Sequence, residues 1–340
     1  MREVDFTYWE RKRPDHQSQA SKGKYKIVIK NNRLHYEFEI KRNITIIQGD
    51  SATGKTTLIN MVRQAENLGS SSGIEVTCNI PCRVLEGANW KLILENSSHT
   101  IFFTDEENKF INTEEFAAAV RDSDNYHVLI TRENLYNLPY SVEEIYGIHC
   151  SGKYHDTRRM YQQMYQIYSN YQQLPVIPEK IITEDSNSGY EFFKAVGLER
   201  NIVCENAGGK SNIFHLLEQI GRENVCVIAD GAAIGPEMGR LFKYTCQREN
   251  IHLYFPESFE WLILQSGLIQ GKDLQDILEN PADYIDGREY FSWERFFTSL
   301  LIEKTKDSYL RYNKSKLNET YLHEKNKEMI LNSIQGVKFI

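Results

Sequence analysis

The stretch Gly49-Asp50-Ser51-Ala52-Thr53-Gly54-Lys55-Thr56-Thr57 sets two glycines five positions apart and follows the second with lysine and threonine. Those residue types at that spacing suit phosphate. Glycine turns the backbone tightly and lets it approach a ligand without a Cβ. Backbone N–H groups of such a loop, and of a helix that begins at its end, point toward phosphate oxygens. Lys55 then reaches the β- and γ-phosphates and Thr56 ligates Mg²⁺. Residues 49–57 are the expected cradle for a triphosphate.

A second constellation lies 50 positions beyond Lys55, in Thr100-Ile-Phe-Phe-Thr-Asp105-Glu106-Glu107. An apolar run ending in acids is the Walker B pattern. Asp105 at the end of a buried strand would hold Mg²⁺ through water, and Glu106 would orient and deprotonate the attacking water, with Glu107 as its competitor. Lys55, Asp105 and Glu106 form the expected catalytic set, with ATP and Mg²⁺ as cofactors. The next apolar run ends in Thr131-Arg132. This pair either faces the phosphate site from the neighbouring strand or simply ends the strand in water. No guanine-specificity motif is present, which favours ATP over GTP, and no second-substrate loop stands out.

The second half repeats one layout: an acid just after an apolar strand and just before a helix. Glu184 follows "KIIT", and Asp230 follows "NVCVIA". Between them, "VCENAGGKSNIFHLLEQI" reads as strand, Gly-rich turn and helix. On residue types alone these acids also fit a turn, Asp230-Gly231, and a helix-cap acid, Glu184.

The elements that must position these residues follow from periodicity. "YKIVIK", "LHYEFEI" and "ITIIQ" alternate as strands, with Asn31-Asn32 marking a hairpin. Leu58, Ile59, Met61 and Val62 put a helix after Lys55. Further strands are expected in "IEVTCNI", "KLILEN", "TIFFTD" and "YHVLIT". A helix "TEEFAAAVRDS" is capped by Thr113. Residues 156–173 read as a helix with Tyr161, Tyr165, Tyr168 and Tyr171 on one side, a packing stripe or a stacking surface. Pro175 and Pro178 end that segment. Strands and helices then alternate again through "IHLYF" at 251–255, and from residue 257 onward helices dominate. The predicted fold is α/β: a parallel-sheet phosphate-binding domain followed by a second α/β domain with a helical C-terminal extension. Boundaries fall at a basic N-terminal arm (1–23), a first domain (24–175), a second (176–265) and the extension (266–340).

Composition narrows the class. The net charge of −7 argues against coating nucleic acid through bulk charge, although residues 1–42 carry eleven Lys or Arg against six Asp or Glu. That arm either touches phosphate backbone or is a solvated tail. No long apolar run or signal-peptide core appears, so a cytoplasmic protein without membrane contact is expected. The six cysteines are scattered; Cys78 and Cys82 lack a second pair at zinc-site spacing.

Residues 24–172 resemble a compact P-loop ATPase of the additional-strand type, in which Thr131 or Arg132 would resemble the sensor position. No transporter-type signature lies between the two motifs. Residues 178–265 resemble the TOPRIM domain of primases, topoisomerases and overcoming-lysogenization-defect (OLD) nucleases. The resemblance implies that Glu184 and Asp230 bind Mg²⁺ for phosphodiester chemistry. It departs from the family at Ala232, where the second Asp of an Asp-x-Asp pair would stand. Asp185, Glu237, Glu257 and Glu260 are candidates to compensate, and Lys314 and Lys316 either supply the lysine such nucleases keep near the metal or belong to a solvated helix. The order of the two parts is similar to OLD nucleases and related bacterial antiphage ATPases. It implies an ATPase that controls a nucleic-acid-processing module acting on DNA or RNA. The alternatives are a nucleotide-gated switch or scaffold that assembles with itself or a partner protein, and a small-molecule phosphotransferase.

Overall fold

The computed structural model describes residues 23–49, 54–150, 160–168 and 175–340. The expected N-terminal arm, apart from Gly23, and the loop residues Asp50, Ser51, Ala52 and Thr53 lie outside the described residues, as does Tyr171. The described chain is mixed α/β, built on a nine-stranded sheet and a four-stranded parallel sheet.

The first three strands are β1 (Tyr25–Lys30), β2 (Leu34–Ile40) and β3 (Ile44–Ile47). β1 and β2 pair as the hairpin their alternation predicts, each with one face buried. α1 (Lys55–Leu68) follows the phosphate loop and buries Leu58, Ile59, Met61 and Val62, the stripe expected from spacing. Short strands β4 (Glu75–Thr77) and β5 (Cys82–Val84) come next, then α2 (Trp90–Glu95). This last segment corrects the expected strand "KLILEN". A short apolar run fits either element. Here Trp90 and Leu94, one helical turn apart, are buried while Leu92 is exposed.

β6 (Ile101–Asp105) is buried except at its final acid. α3 (Glu114–Asp122) starts where expected, with the Thr113 hydroxyl accepting from the Phe116 N–H. β7 (Tyr126–Ile130) lies in the sheet between β3 and β6, parallel to both. β8 (Ile145–Cys150) and β9 (Met160–Gln166) complete the sheet. β9 overturns the expected helix over 156–173: it pairs antiparallel with β8 and parallel with β2. Four-residue tyrosine spacing also puts Tyr161 and Tyr165 on one face of a strand. Tyr165 lies across from Gly147, where a Cβ would meet the ring at 2.4 Å. Tyr168 lies beyond the strand and packs edge-on to Phe242.

The strand order is β4-β1-β2-β9-β8-β3-β7-β6-β5. Its two edge strands, β4 and β5, are joined by residues 78–81 alone. Five Cα steps span at most about 18 Å, whereas a flat sheet of this size would hold its edges about 38 Å apart. The sheet is therefore rolled around α1, which touches β1 and β4 on one side and β5 and β6 on the other.

The second sheet contains β10 (Lys180–Thr183), β11 (Val203–Asn206), β12 (Val225–Ile228) and β13 (Ile251–Tyr254), in the order β11-β10-β12-β13, all parallel. α4 (Ser188–Arg200), α5 (Lys210–Glu218) and α6 (Met238–Thr245) connect them. α7 (Phe259–Gln265), α8 (Leu274–Glu279), α9 (Trp293–Thr305) and α10 (Glu324–Asn332) follow. One apolar cluster holds Ile44, Ile46 and Leu129 of the large sheet together with Ile182, Val227 and Leu253 of the small one. The opposite face of the small sheet, with Ile181, Cys226 and Ile228, packs on the C-terminal helices. The two sheets thus share a core.

Candidate functional site

β3, α1, β6 and β7 carry the first site. Gly49 and Gly54 have φ of 133° and 89°, conformations an L-residue resists, so both glycines are demanded by the loop's path. Lys55 is buried and its Nζ donates to the Gly49 carbonyl at 2.6 Å. Gly54, Lys55, Thr56, Thr57, Asp105 and Glu106 line one cleft of about 560 Å³, within the range of small-ligand sites. The residues predicted from two distant motifs therefore converge, except for Gly49, which holds Lys55 but does not line the cleft, and the four loop positions outside the described residues.

Asp105 ends β6 beside the cleft. Its Oδ1 accepts from the Glu107 N–H at 3.2 Å and from Asn108 Nδ2 at 2.9 Å. No hydrogen bond reaches its Oδ2 among the described residues. Such a carboxylate, with Thr56 on the same cleft, fits a hydrated divalent cation on a phosphate. Glu106 is held differently: Oε2 accepts from the Arg132 N–H at 2.9 Å, and Oε1 lies 3.1 Å from Arg132 Nε. Glu107 also lines the cleft but is exposed. Thr131 is buried, with its hydroxyl donating to the Glu133 carbonyl at 3.0 Å, so Arg132 is the member of the pair that faces the site.

The second constellation gathers at the carboxyl end of the small sheet. Glu184 follows β10 and Asp230 follows β12, neighbouring strands whose connections leave in opposite directions. That is the switch point at which open parallel sheets form crevices. Glu184 Oε2 accepts from the Asp230 N–H at 3.3 Å, so the two predicted acids meet. A small cavity of about 50 Å³ is lined by both, with Ser188, Glu260, Tyr312 and Lys314. The Tyr312 hydroxyl donates to Glu260 Oε1 at 2.9 Å and lies 2.6 Å from Ser188 Oγ. Lys314 pairs with Glu294 and lies 4.0 Å from Glu260 Oε1.

Charge is crowded there. Burial raises the pKa of Asp230 well above its ordinary value, and the carboxylates of Glu294, Glu184 and Glu260 add to the shift while Lys314 opposes it. Glu184 is raised chiefly by burial. Burial pulls the Lys314 pKa down, but Glu260 and Glu294 outweigh it and the net shift is upward. Among the described residues, no group of three or more His, Cys, Asp or Glu is arranged to hold a metal ion.

Of the four acids proposed to compensate for Ala232, Asp185 and Glu260 line this cavity. Glu237 pairs with Arg240, and Glu257 with Arg42. Ala232 itself does not line it. Its side chain borders a separate cavity beside Arg42 and Trp293. Lys314 lies in a turn, not on a helix, and reaches the acids. Glu294 and Tyr312 were not signalled by any motif, because they arrive from distant segments; Ser188 lies only four residues after Glu184, at the start of α4, but no motif marks it. Cys78 and Cys82 are free. Among the described residues no helix is long and apolar enough to cross a membrane.

Neither a scan against protein-family models nor a search of the curated proteins finds a match to this chain.

Proposed function

We propose that the chain is a Mg²⁺-dependent P-loop ATPase of the additional-strand type whose nucleotide state governs a TOPRIM-like second unit. The observation that carries this reading is the convergence of Gly54, Lys55 and Thr56 with Asp105 and Glu106 on one cleft. Lys55 would neutralise the β- and γ-phosphates, and Thr56 and Asp105 would hold Mg²⁺, which when bound offsets phosphate charge. Glu106 would accept the proton of the attacking water. Purified protein is expected to bind and hydrolyse ATP, and Lys55→Ala to lose both. Hydrolysis unaffected by Lys55→Ala would refute the assignment.

The route to the second unit is short. β3 carries the phosphate loop at one end and Arg42 just before the other. The Arg42 guanidinium bonds Glu257 and lies 3.5 Å from the centre of the Trp293 ring. Glu257 is three residues before Glu260, and Trp293 is next to Glu294, two acids of the second cluster.

Glu184 and Asp230 support nucleic-acid processing by that cluster, as in the antiphage nucleases the sequence resembles. With either Mg²⁺ or Mn²⁺, cleavage of DNA or RNA is expected and is lost in Asp230→Ala; intact cutting by that variant would sink the nuclease reading. The alternative, a nucleotide-gated scaffold, is favoured by Lys314, whose ammonium occupies the acid cluster and offsets its charge without a metal. Its signature is ATP-dependent assembly with itself or a partner protein, without cleavage.

A further inference from the structure

The cleft extends beyond what phosphates need. Asp105, which ends β6, and Glu106, just after it, mark its phosphate end. The opposite wall comes from β2 and β9. β9 runs antiparallel to β8, which is parallel to β3, and β2 is parallel to β9. The first residues of β2 and β9 therefore stand at the same edge as the end of β3. Leu34 is paired with Met160 there, and Tyr36 with Gln162. All four line the cleft. Met160 is 52% exposed at the rim.

One layer deeper, the Tyr36 hydroxyl donates to the Gly54 carbonyl at 2.9 Å, which fastens this wall to the start of α1. Gln162 presents the unusual feature. Its carboxamide oxygen is buried and, among the described residues, has no hydrogen-bond partner. A buried acceptor without a donor costs free energy unless something supplies one.

We propose that this β2–β9 wall is the nucleoside subsite, with Leu34 and Met160 against the base plane and the Gln162 carboxamide reading an adenine edge. The inference rests on the P-loop reading of the phosphate end and names the base that end carries. A glutamine carboxamide accepts from the adenine N6 amine and donates to N7 in one planar contact. Guanine offers an oxygen at position 6, so the carboxamide oxygen finds no donor on that edge. The wall therefore selects adenine nucleotides over guanine nucleotides.

The test is a competition assay against a ribose-labelled fluorescent ATP analogue, with ATP, GTP and inorganic tripolyphosphate as competitors. Wild type is expected to prefer ATP over GTP by about tenfold or more. Gln162→Leu should bring the two within about twofold while tripolyphosphate competes as before, which also shows that the variant is folded. The subsite is overturned if wild type binds ATP and GTP alike. It is equally overturned if Gln162→Leu weakens tripolyphosphate as much as ATP, because Gln162 then serves the phosphates. Binding that survives Lys55→Ala, or no binding of analogue and tripolyphosphate to wild type, instead removes the P-loop reading on which the subsite depends.

Discussion

Arg42 and Glu257 form a two-pronged ion pair across the junction of the two sheets, 2.9 Å from Nη1 to Oε2 and 2.5 Å from Nη2 to Oε1. Arg42 is 8% exposed, and its side chain also faces Glu144 at 3.7 Å and Glu143 at 3.5 Å. Three carboxylates therefore depend on one buried guanidinium. Removing it leaves buried charge uncompensated, a loss that typically costs about 3–5 kcal/mol. Arg42→Met should lower the unfolding free energy by that amount in urea denaturation. A loss below about 1 kcal/mol, the level of an exposed pair, would show that the junction tolerates the charges without Arg42.

Glu144 makes the same junction sensitive to pH. Burial lifts its pKa to about 7 even though Arg42 and the Thr45 hydroxyl pull it down. Its folded value thus exceeds its unfolded one, so the folded state holds the proton longer. Stability is greatest below the unfolded value near 4.5 and falls as pH rises through about 7. The contribution is on the order of 3 kcal/mol for such a shift. Urea midpoints measured from pH 5 to pH 8 should decline in wild type and decline less in Glu144→Gln. Parallel profiles for the two proteins would remove Glu144 as the cause.

The sequence announced local chemistry well and distant convergence poorly. Gly54, Lys55 and Asp105 could be placed because strand, turn and helix signals surround each of them within a dozen residues. "KLILEN" misled because six apolar-rich residues carry no decisive period, and burial of Trp90 and Leu94 on one side chose the helix. The tyrosines at 161 and 165 misled for a related reason: an interval of four satisfies a helix and also a strand. Glu294 and Tyr312 were invisible, since nothing in their own segments points to β10 or β12. Only the packing of the C-terminal helices on the small sheet brings them there.

Glu106 and Arg132 supply a prediction about turnover. The carboxylate is gripped at both oxygens by the backbone and side chain of one residue on the neighbouring strand's end. Glu106→Gln keeps the shape and removes the proposed base, so ATP hydrolysis should slow by about 10²–10⁴-fold while ATP binding persists. Single-turnover hydrolysis with binding measured in parallel decides it. An unchanged rate would pass the role of base to Glu107 or to no side chain at all.

Ala232 bears on whether the second unit lacks an essential carboxylate. Its side chain is 5% exposed and borders the cavity shared by Arg42 and Trp293, not the one that holds Glu184 and Asp230. The turn imposes this. Gly231 donates to the Pro256 carbonyl at 2.6 Å, and a Cβ on it would come within 2.5 Å of the Phe255 carbonyl oxygen, so the backbone here is pressed against the end of β13. An aspartate at 232 would enter a junction where Arg42 already serves three acids. Ala232→Asp should therefore cost a few kcal/mol and should not enhance any Mg²⁺- or Mn²⁺-induced rise in melting temperature. If the variant instead gains such a rise, and Asp230→Asn abolishes it, the turn is mobile enough to bring a second acid beside Asp230.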